Sequence, residues 1–104
     1  MIRSRQFTFS KDAIRDFVNI YNFIAEENPA AAVRVLRDLE TKIESIAASG
    51  HLGVSRGWLV PGLRALLYKG RCIYFQVSHS NLHVLRVVHG RQNITPDDFT
   101  ESDD

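Results

Sequence analysis

Four arginines lie on or beside three consecutive apolar runs in the second half of the chain, and they carry most of its candidate chemistry. The runs are rich in Val, Ile, Leu and aromatic residues and are separated by turns, a pattern that predicts an antiparallel meander. The arginines are Arg64, Arg71, Arg86 and Arg91. A small sheet that carries a row of guanidinium groups can bind an anionic macromolecule or a carboxylate-bearing partner.

Nuclease chemistry would require more than cations, because cleavage of RNA through its 2′-hydroxyl also needs an acid and a base. Histidine titrates near neutral pH and is the natural candidate. Strict alternation along the last apolar run places four residues on one face of the strand: His83, Leu85, Val87 and His89. If Leu85 and Val87 belong to the core, both histidines lie at its margins, and we interpret them as structural.

Metal and nucleophile chemistry is not indicated by the sequence. The four histidines do not occur at ligand spacing with carboxylates, and Cys72 is the only cysteine. No internal disulfide can therefore form, and we interpret Cys72 as a buried, inert thiol in an apolar strand. Neither a nucleophile elbow nor a glycine-rich phosphate loop is present. We expect no metal and no cofactor.

The aromatic residues of this region have two interpretations each. Trp58 lies in an irregular loop and either closes the edge of the core or forms an exposed anchor, since Trp and Arg are common hot-spot residues. Tyr74 and Phe75 are adjacent on one strand and should point to opposite faces. One is then core, and the other lies on an open face, where it would stack on a base or pack against a protein partner.

Two helices precede the meander. Phe7 and Phe9 give residues 2–9 the alternation of a strand, and Ser10 can then cap an amphipathic helix that ends near residue 27. Asn28 and Pro29 restart the chain as an N-cap and first helical residue, and the second helix should end at Gly50. One continuous helix is disfavoured, because an interior proline costs about 3 kcal/mol.

The resulting order of elements is β-α-α-β-β-β, which we assign to the α+β class. We expect a two-layer sandwich in which a helical hairpin packs on one face of a small, mainly antiparallel sheet. The other face should be partly open, since no elements remain to cover it. A chain of 104 residues is one domain by length, and we place this domain at residues 1–96.

Residues 97–104 form an acidic tail with five acids and no base, so the other 96 residues hold 13 bases against 7 acids. The simplest interpretation is a frayed, solvating end. An alternative is an internal mimic that screens the basic face. No apolar run approaches the roughly 18 residues of a membrane span, and the N-terminus lacks a signal-peptide pattern, so we expect a cytoplasmic location.

The order of elements and the residues within them resemble the ParE/RelE superfamily of bacterial toxins from toxin–antitoxin systems. The resemblance covers residues 7–93. It rests on Asn28-Pro29-Ala30-Ala31-Ala32, Pro61-Gly62-Leu63-Arg64, Arg71-Cys72-Ile73-Tyr74-Phe75 and Val84-Leu85-Arg86-Val87-Val88-His89-Gly90-Arg91. The final His-Gly-Arg is more similar to the ParE branch. That branch implies inhibition of DNA gyrase by binding, without hydrolysis by the toxin, and neutralisation by a small antitoxin.

The alternative within the superfamily is a RelE-like endoribonuclease that cuts mRNA in the ribosome. Arg71 and Arg91 stand where RelE-like toxins place arginines. The lysines expected before the second strand are replaced by Arg56 alone, and Phe99 stands where a late tyrosine is expected. His89 is followed by Gly90, so the late His-Tyr pair of another subgroup is also absent.

The resemblance therefore implies a binding inhibitor with no catalytic residue of its own, and an inactive remnant that binds only its antitoxin is a third reading. We expect an assembly that is a homodimer or a heterotetramer with the antitoxin. The residues that we expect to contact the target or the antitoxin are Arg64, Arg71, Arg86, Arg91 and Trp58.

Overall fold

The computed structural model of the protein describes residues 5–49 and 52–100. The elements follow one another as a strand, two helices, four strands and a short 3₁₀ turn. They are β1 (Gln6–Phe9), α1 (Lys11–Ala25), α2 (Pro29–Ala48), β2 (Val54–Ser55), β3 (Arg64–Tyr68), β4 (Arg71–Val77), β5 (Asn81–His89) and the 3₁₀ turn (Pro96–Phe99).

Both helices begin at the predicted caps. The Oγ of Ser10 accepts a hydrogen bond from the Ala13 amide at 2.9 Å, and the Oδ1 of Asn28 accepts one from the Ala31 amide at 3.0 Å. Pro29 occupies the first turn of α2, as expected. The predicted end of α2 at Gly50 lies outside the described residues. Neither helix is long and apolar enough to cross a membrane, among the residues searched.

The strands form one sheet in the order β1-β5-β4-β3-β2. β1 runs parallel to β5, and the other neighbours are antiparallel. The α+β prediction is therefore confirmed, with one addition, because the two-residue strand β2 lies in the predicted loop. Gly53 permits this strand: its φ is +65°, and a Cβ there would lie 2.2 Å from the Ala65 carbonyl oxygen.

One face of the sheet packs against the helical hairpin. Its core combines helix and strand residues: Ala13, Leu39, Ile43, Ile46, Ala47, Ile73, Phe75, Leu82, Val84 and Val87. These are the positions at which a helix stripe meets a strand face, so the hairpin covers the sheet as the sequence pattern predicts.

The second face is not left open to the extent predicted. It holds a smaller apolar cluster, which contains Leu63, Ala65, Tyr74, Leu85, Val88 and Phe99, with Leu59, Val60, Cys72 and Ile94 packed against it. The loop before β3 and the 3₁₀ turn therefore cover much of this face. The rings of Tyr74 and Phe99 meet edge to face, with centroids 5.1 Å apart.

The expectation that the chain frays from residue 97 is wrong for the first part of the acidic tail. Asp97 and Asp98 belong to the 3₁₀ turn, and Phe99 is buried. Asp98 stabilises the turn because its Oδ2 accepts a hydrogen bond from the Thr95 amide at 2.7 Å. Residues 101–104 lie outside the described part of the chain.

A β-bulge interrupts the regular alternation of β5. Tyr74 pairs with Arg86, whereas Phe75 pairs with Val84, so Leu85 is the extra residue. Because of this shift, Val84 and Val87 belong to the helix-facing core, while Leu85 belongs to the second face. The prediction that Leu85 and Val87 share a face is therefore wrong.

Candidate functional site

The sheet does not bring all four arginines together. Arg64 pairs with Phe75 near the end of β4, whereas Arg71 is the first residue of β4 and pairs with Tyr68 and His89. A strand rises about 3.3 Å per residue, so the register positions of these two arginines are about 13 Å apart. Arg64 and Arg71 therefore belong to opposite ends of the sheet.

Arg64 stabilises the connection that leads into β2. Its Nε donates a hydrogen bond to the Leu52 carbonyl at 2.6 Å, and its Nη2 donates one to the Gly53 carbonyl at 3.2 Å. The side chain is half-buried, and it satisfies two backbone acceptors in a segment without regular structure. We therefore regard Arg64 as a residue that fixes the fold locally.

Arg86 lies where β5 extends beyond the end of β1. Its Nε and Nη2 donate to the two oxygens of Asp16 at 2.7 and 3.0 Å, which makes a bidentate pair. Its Nη1 donates to the carbonyl of Asp98 at 3.2 Å and lies 3.6 Å from the carboxylate of the same residue. Hydrogen bonding to Asp16 raises the pKa of Arg86 further. Arg86 thereby joins α1, β5 and the 3₁₀ turn.

Asp16 is the residue of this network that sequence reasoning missed. It is buried on α1, and its Oδ2 also accepts a hydrogen bond from the Val87 amide at 3.0 Å, in place of a neighbouring strand. A signal was present, because Asp16 lies between Ala13 and Ile20 on the inward face of α1. An acid at such a position predicts a buried cationic partner.

Arg71 differs from Arg86, because its side chain has no partner in the part of the chain that the structure describes. The side chain is half-buried, and no hydrogen bond or ion pair joins it to the residues that the structure describes. It lies between two surface depressions and lines both of them. One, which we call the α1 groove, has a volume of about 370 Å³, and the other, the α2 pocket, has a volume of about 160 Å³.

The α1 groove combines charged, polar and aromatic side chains. It is lined by Asp16, Asn19, Ile20, Phe23, Arg71, Arg86, Val87, Val88, His89 and Gln92. Phe23 is 77% exposed, which is unusual for so large an apolar side chain. Since Arg86 and the Val87 amide occupy both oxygens of Asp16, the uncompensated cation of the groove is Arg71.

We call one end of the sheet the basic end. It consists of Lys69, Arg71, His89 and Arg91. The Nδ1 of His89 accepts a hydrogen bond from the Arg91 amide at 3.2 Å. The Gly90 amide donates to the Gly70 carbonyl at 2.8 Å and holds this end of β5 against the β3–β4 turn. Arg91 is exposed, without an acidic partner among the described residues.

Trp58 lies in the loop between β2 and β3 with 78% of its surface exposed. The interpretation that it closes the edge of the core is wrong, because Leu59 and Val60 of the same loop pack against the second-face cluster instead. Trp58 is therefore an exposed aromatic side chain, the second of the two interpretations. Its loop precedes β3, whereas Arg71 pairs with Tyr68 at the other end of that strand.

The remaining candidates have structural surroundings. His83 Nδ1 lies 2.7 Å from Thr8 Oγ1, across the β1–β5 pair. Tyr74 and Phe75 point to opposite faces, as expected, but the face of Tyr74 is covered, so the expectation that one of them lies on an open face is wrong. Burial raises the pKa of Tyr74 to about 12. Cys72 is half-buried. No group of three or more potential ligands for a metal ion occurs in the searched part of the chain.

Comparison with known proteins shows what this architecture is similar to. Residues 7–94 match the family model described as ParE toxin of type II toxin-antitoxin system, parDE. The chain is also similar to the solved chromosomal ParDE toxin–antitoxin system from P. aeruginosa, with 20% identity and a TM-score of 0.68 over 83% of this chain and 96% of that one.

A second solved structure is the toxin–antitoxin complex RelBE2 from Mycobacterium tuberculosis. It is 15% identical, with a TM-score of 0.58 over 84% of this chain and 99% of that one. At these identities the two likenesses establish the fold alone. No curated protein sequence matches the chain.

Proposed function

This chain belongs to the ParE family of toxins from type II toxin–antitoxin systems, and from that premise we propose that it inhibits DNA gyrase by binding it. The observation that carries the proposal is the guanidinium of Arg71 at the basic end of the sheet, which has no partner among residues 5–49 and 52–100. A half-buried guanidinium with no acceptor among the described residues can donate its N–H groups to a carboxylate of another protein. We propose that the target protein supplies it.

Binding through this surface requires anchors as well as charge. Arginine and large aromatic residues contribute most strongly when they are buried at the centre of an interface. Phe23 is exposed and lines the same groove as Arg71. Arg71 pairs with His89, and Arg91 lies two residues after His89. The basic end of the sheet, with Phe23 beside it, thus offers both kinds of anchor.

One observation favours the alternative, a RelE-like endoribonuclease. His89 pairs directly with Arg71, so the α1 groove contains a cation and a proton-transfer group together. RNA cleavage needs a second group that moves a proton. Asp16 is held by Arg86 and by a backbone amide, and Phe99 has no hydroxyl and is buried against Tyr74. These contacts support binding over cleavage.

The test compares two assays on the same purified toxin. We expect it to inhibit supercoiling by gyrase and to leave mRNA intact in a translation-linked cleavage assay. Arg71→Ala should weaken inhibition by at least about tenfold, because one charged contact at the centre of an interface is worth roughly 1.4 kcal/mol or more. Arg91→Ala should act in the same direction.

Arg15→Ala is the matched control, because Arg15 lies on α1 with 71% of its side chain exposed and forms only a long ion pair of 3.6 Å with Asp12. It should inhibit gyrase as the unchanged protein does. Cut transcripts together with normal supercoiling would contradict the proposal and would establish the endoribonuclease. Normal growth on expression without an antitoxin would indicate an inactive remnant.

We further propose that a cognate antitoxin neutralises this toxin in the cytoplasm, where gyrase acts. The solved relatives are complexes of a toxin with its antitoxin, which supports a partner of this kind. We expect a heterotetramer, or a homodimer of the free toxin. Light scattering on the co-expressed complex and on the toxin alone measures both states.

A further inference from the structure

The α2 pocket is a small depression that is lined by three apolar or aromatic residues and three charged residues. Its apolar lining is formed by Val35, Leu39 and Tyr68, and its charged residues are Asp38, Lys69 and Arg71. Val35, Asp38 and Leu39 lie on α2. Tyr68 ends β3, Lys69 lies in the β3–β4 turn, and Arg71 begins β4. The pocket therefore lies where the helix layer meets the basic end of the sheet.

The charges around this pocket do not cancel. Lys69 Nζ bonds Asp38 Oδ2 at 3.0 Å, which neutralises one pair. Lys42 and Lys69 each place an ammonium 5.4 Å from the centroid of the Tyr68 ring, so two cations share this aromatic side chain. Arg71 adds a further cation without a partner among the described residues. The mouth of the pocket therefore attracts anions.

The volume of the pocket limits what can enter it. At about 160 Å³ it is smaller than the roughly 300–1,000 Å³ of typical small-molecule sites. It accommodates one aliphatic side chain, whereas a phosphate or a nucleobase edge placed against Val35 and Leu39 would lack hydrogen-bond partners on that side. An occupant thus has an aliphatic group inside and an anion at the mouth.

We infer that the α2 pocket binds a segment of a protein partner in which an aliphatic side chain lies next to a carboxylate. The aliphatic group packs on Val35, Leu39 and Tyr68, and the carboxylate accepts hydrogen bonds from Arg71. A guanidinium suits this role because its fork matches the two carboxylate oxygens. The inference rests on the proposed function only in taking Arg71 as a partner-binding residue, and it does not require gyrase.

The minimal probe is N-acetyl-leucine, which has both chemical groups, and the matched control probe is N-acetyl-leucinamide, which lacks the carboxylate. Each is titrated into the ¹⁵N-labelled toxin while backbone amide shifts are followed by NMR. We expect saturable shifts from N-acetyl-leucine that concentrate at residues 35–39 and 68–71. The amide should bind at least about fivefold more weakly, since the charged hydrogen bonds are lost.

Variants then identify the carboxylate ligand. Arg71→Ala should remove the preference for the acid over the amide, and Arg71→Lys should retain part of it, because the charge remains without the fork. Arg15→Ala should leave both affinities unchanged. The amide spectrum of each variant reports whether it is folded.

Three results would overturn the inference: equal binding of acid and amide, shifts that do not saturate, or the same shifts from inorganic phosphate. The gyrase assay reports separately. Selective binding of N-acetyl-leucine by a toxin that leaves gyrase active would keep the pocket and refute the target. Inhibition of gyrase by a toxin that does not bind N-acetyl-leucine selectively would support the target and refute the pocket.

Discussion

Arg86 and Arg71 line the same groove, yet their surroundings are opposite. Arg86 donates to two carboxylate oxygens and one carbonyl, and its side chain is only 18% exposed. Arg71 is half-buried and has no partner in the described parts of the chain. The first guanidinium connects three elements of the fold, whereas the second leaves its hydrogen-bonding capacity for another molecule.

The difference shows why the number of arginines on a sheet says little about its function. A paired, desolvated cation stabilises the folded state through its partner. Removing the cation leaves the charge of the buried carboxylate uncompensated. An unpaired cation contributes little to folding, so its loss should be felt in binding. Arg86→Ala and Arg71→Ala test this contrast directly, and two substitutions on the second face of the sheet fall between them in expected effect on stability.

Arg86→Ala should have the largest effect. It leaves Asp16 buried without a counter-charge, and we expect the free energy of unfolding to fall by about 3–4 kcal/mol. Urea denaturation followed by circular dichroism measures the change. Asp16→Ala should cost a similar amount, and the double variant should cost clearly less than the sum, because the two residues form one unit.

Arg15→Ala is the control for this cycle, since Arg15 has 71% of its side chain exposed and forms only a long ion pair of 3.6 Å with Asp12. It should change stability by less than about 0.5 kcal/mol. If Arg86→Ala behaved like Arg15→Ala, the distinction between the two groove arginines would fail.

Phe99→Ala should come next. The side chain is 9% exposed and packs edge to face on Tyr74. Truncation should lower the free energy of unfolding by about 2–3 kcal/mol, which is at or below the lower limit for a buried phenylalanine. Differential scanning calorimetry provides the measurement. Phe99→Leu, which keeps most of the apolar volume, should recover the greater part of this loss. No loss in Phe99→Ala would mean that the 3₁₀ turn does not cover the second face.

Tyr74 should make stability fall at high pH. Its pKa is raised to about 12 by burial, whereas an unfolded tyrosine titrates near 10. The neutral hydroxyl is thus favoured in the folded state. The stability this provides is complete below the unfolded pKa and is lost as pH rises from about 10 towards 12.

Tyr74→Phe removes this titration and isolates its contribution. Between pH 10 and 12 the unchanged protein should lose about 2 kcal/mol more than the variant does. Parallel pH profiles would contradict the assignment. Denaturation curves at several pH values supply both profiles, and the lysines affect them equally.

Arg71→Ala should have the smallest effect on stability, within about 0.5 kcal/mol, because no partner is left unpaired. The same variant should lose inhibition of the target, so its stability and its activity should separate. A fall in melting temperature as large as that of Arg86→Ala would make Arg71 a structural residue. The surface proposed here would then lose its central contact.

The elements that follow from local signals were predictable from the sequence. The helical hairpin required only Ser10, Asn28 and Pro29 with an apolar stripe, and the meander required only apolar runs with turns between them. The two-residue strand β2 was not predictable by alternation, since a period of two cannot be recognised in two residues. Its pairing depends on the backbone of Gly53 approaching Ala65 closely.

The site was less predictable, because the partners of its residues lie far apart in the chain. Asp16 and Arg86 are 70 positions apart. No glycine or proline marks the bulge at Leu85, so the sequence does not indicate it. The bulge nevertheless determines which neighbours share a face with Arg86. Trp58 occupies a loop without periodicity, so its exposure could not be derived from a pattern.

The 3₁₀ turn was not predicted either, although the sequence pattern that indicates it is local. Thr95, Pro96 and Asp98 form the pattern of a helical start, with an acid three residues after the cap. The five acids of residues 97–104 favoured a frayed end, and this compositional argument was given more weight than the local pattern. The bond from the Thr95 amide to Asp98, and the burial of Phe99, show that sequence-specific contacts prevailed over composition.

The parallel pairing of β1 with β5 has a consequence for how the protein is made. Gln6 pairs with Asn81 and Phe9 pairs with Val84, so the first strand has no place in the sheet until the ribosome has synthesised the last one. Contacts of such long sequence separation form late in folding. A chain that terminates before residue 81 exposes the apolar face of its hairpin and remains open to proteases. Premature termination should therefore release degradable fragments and no shortened toxin.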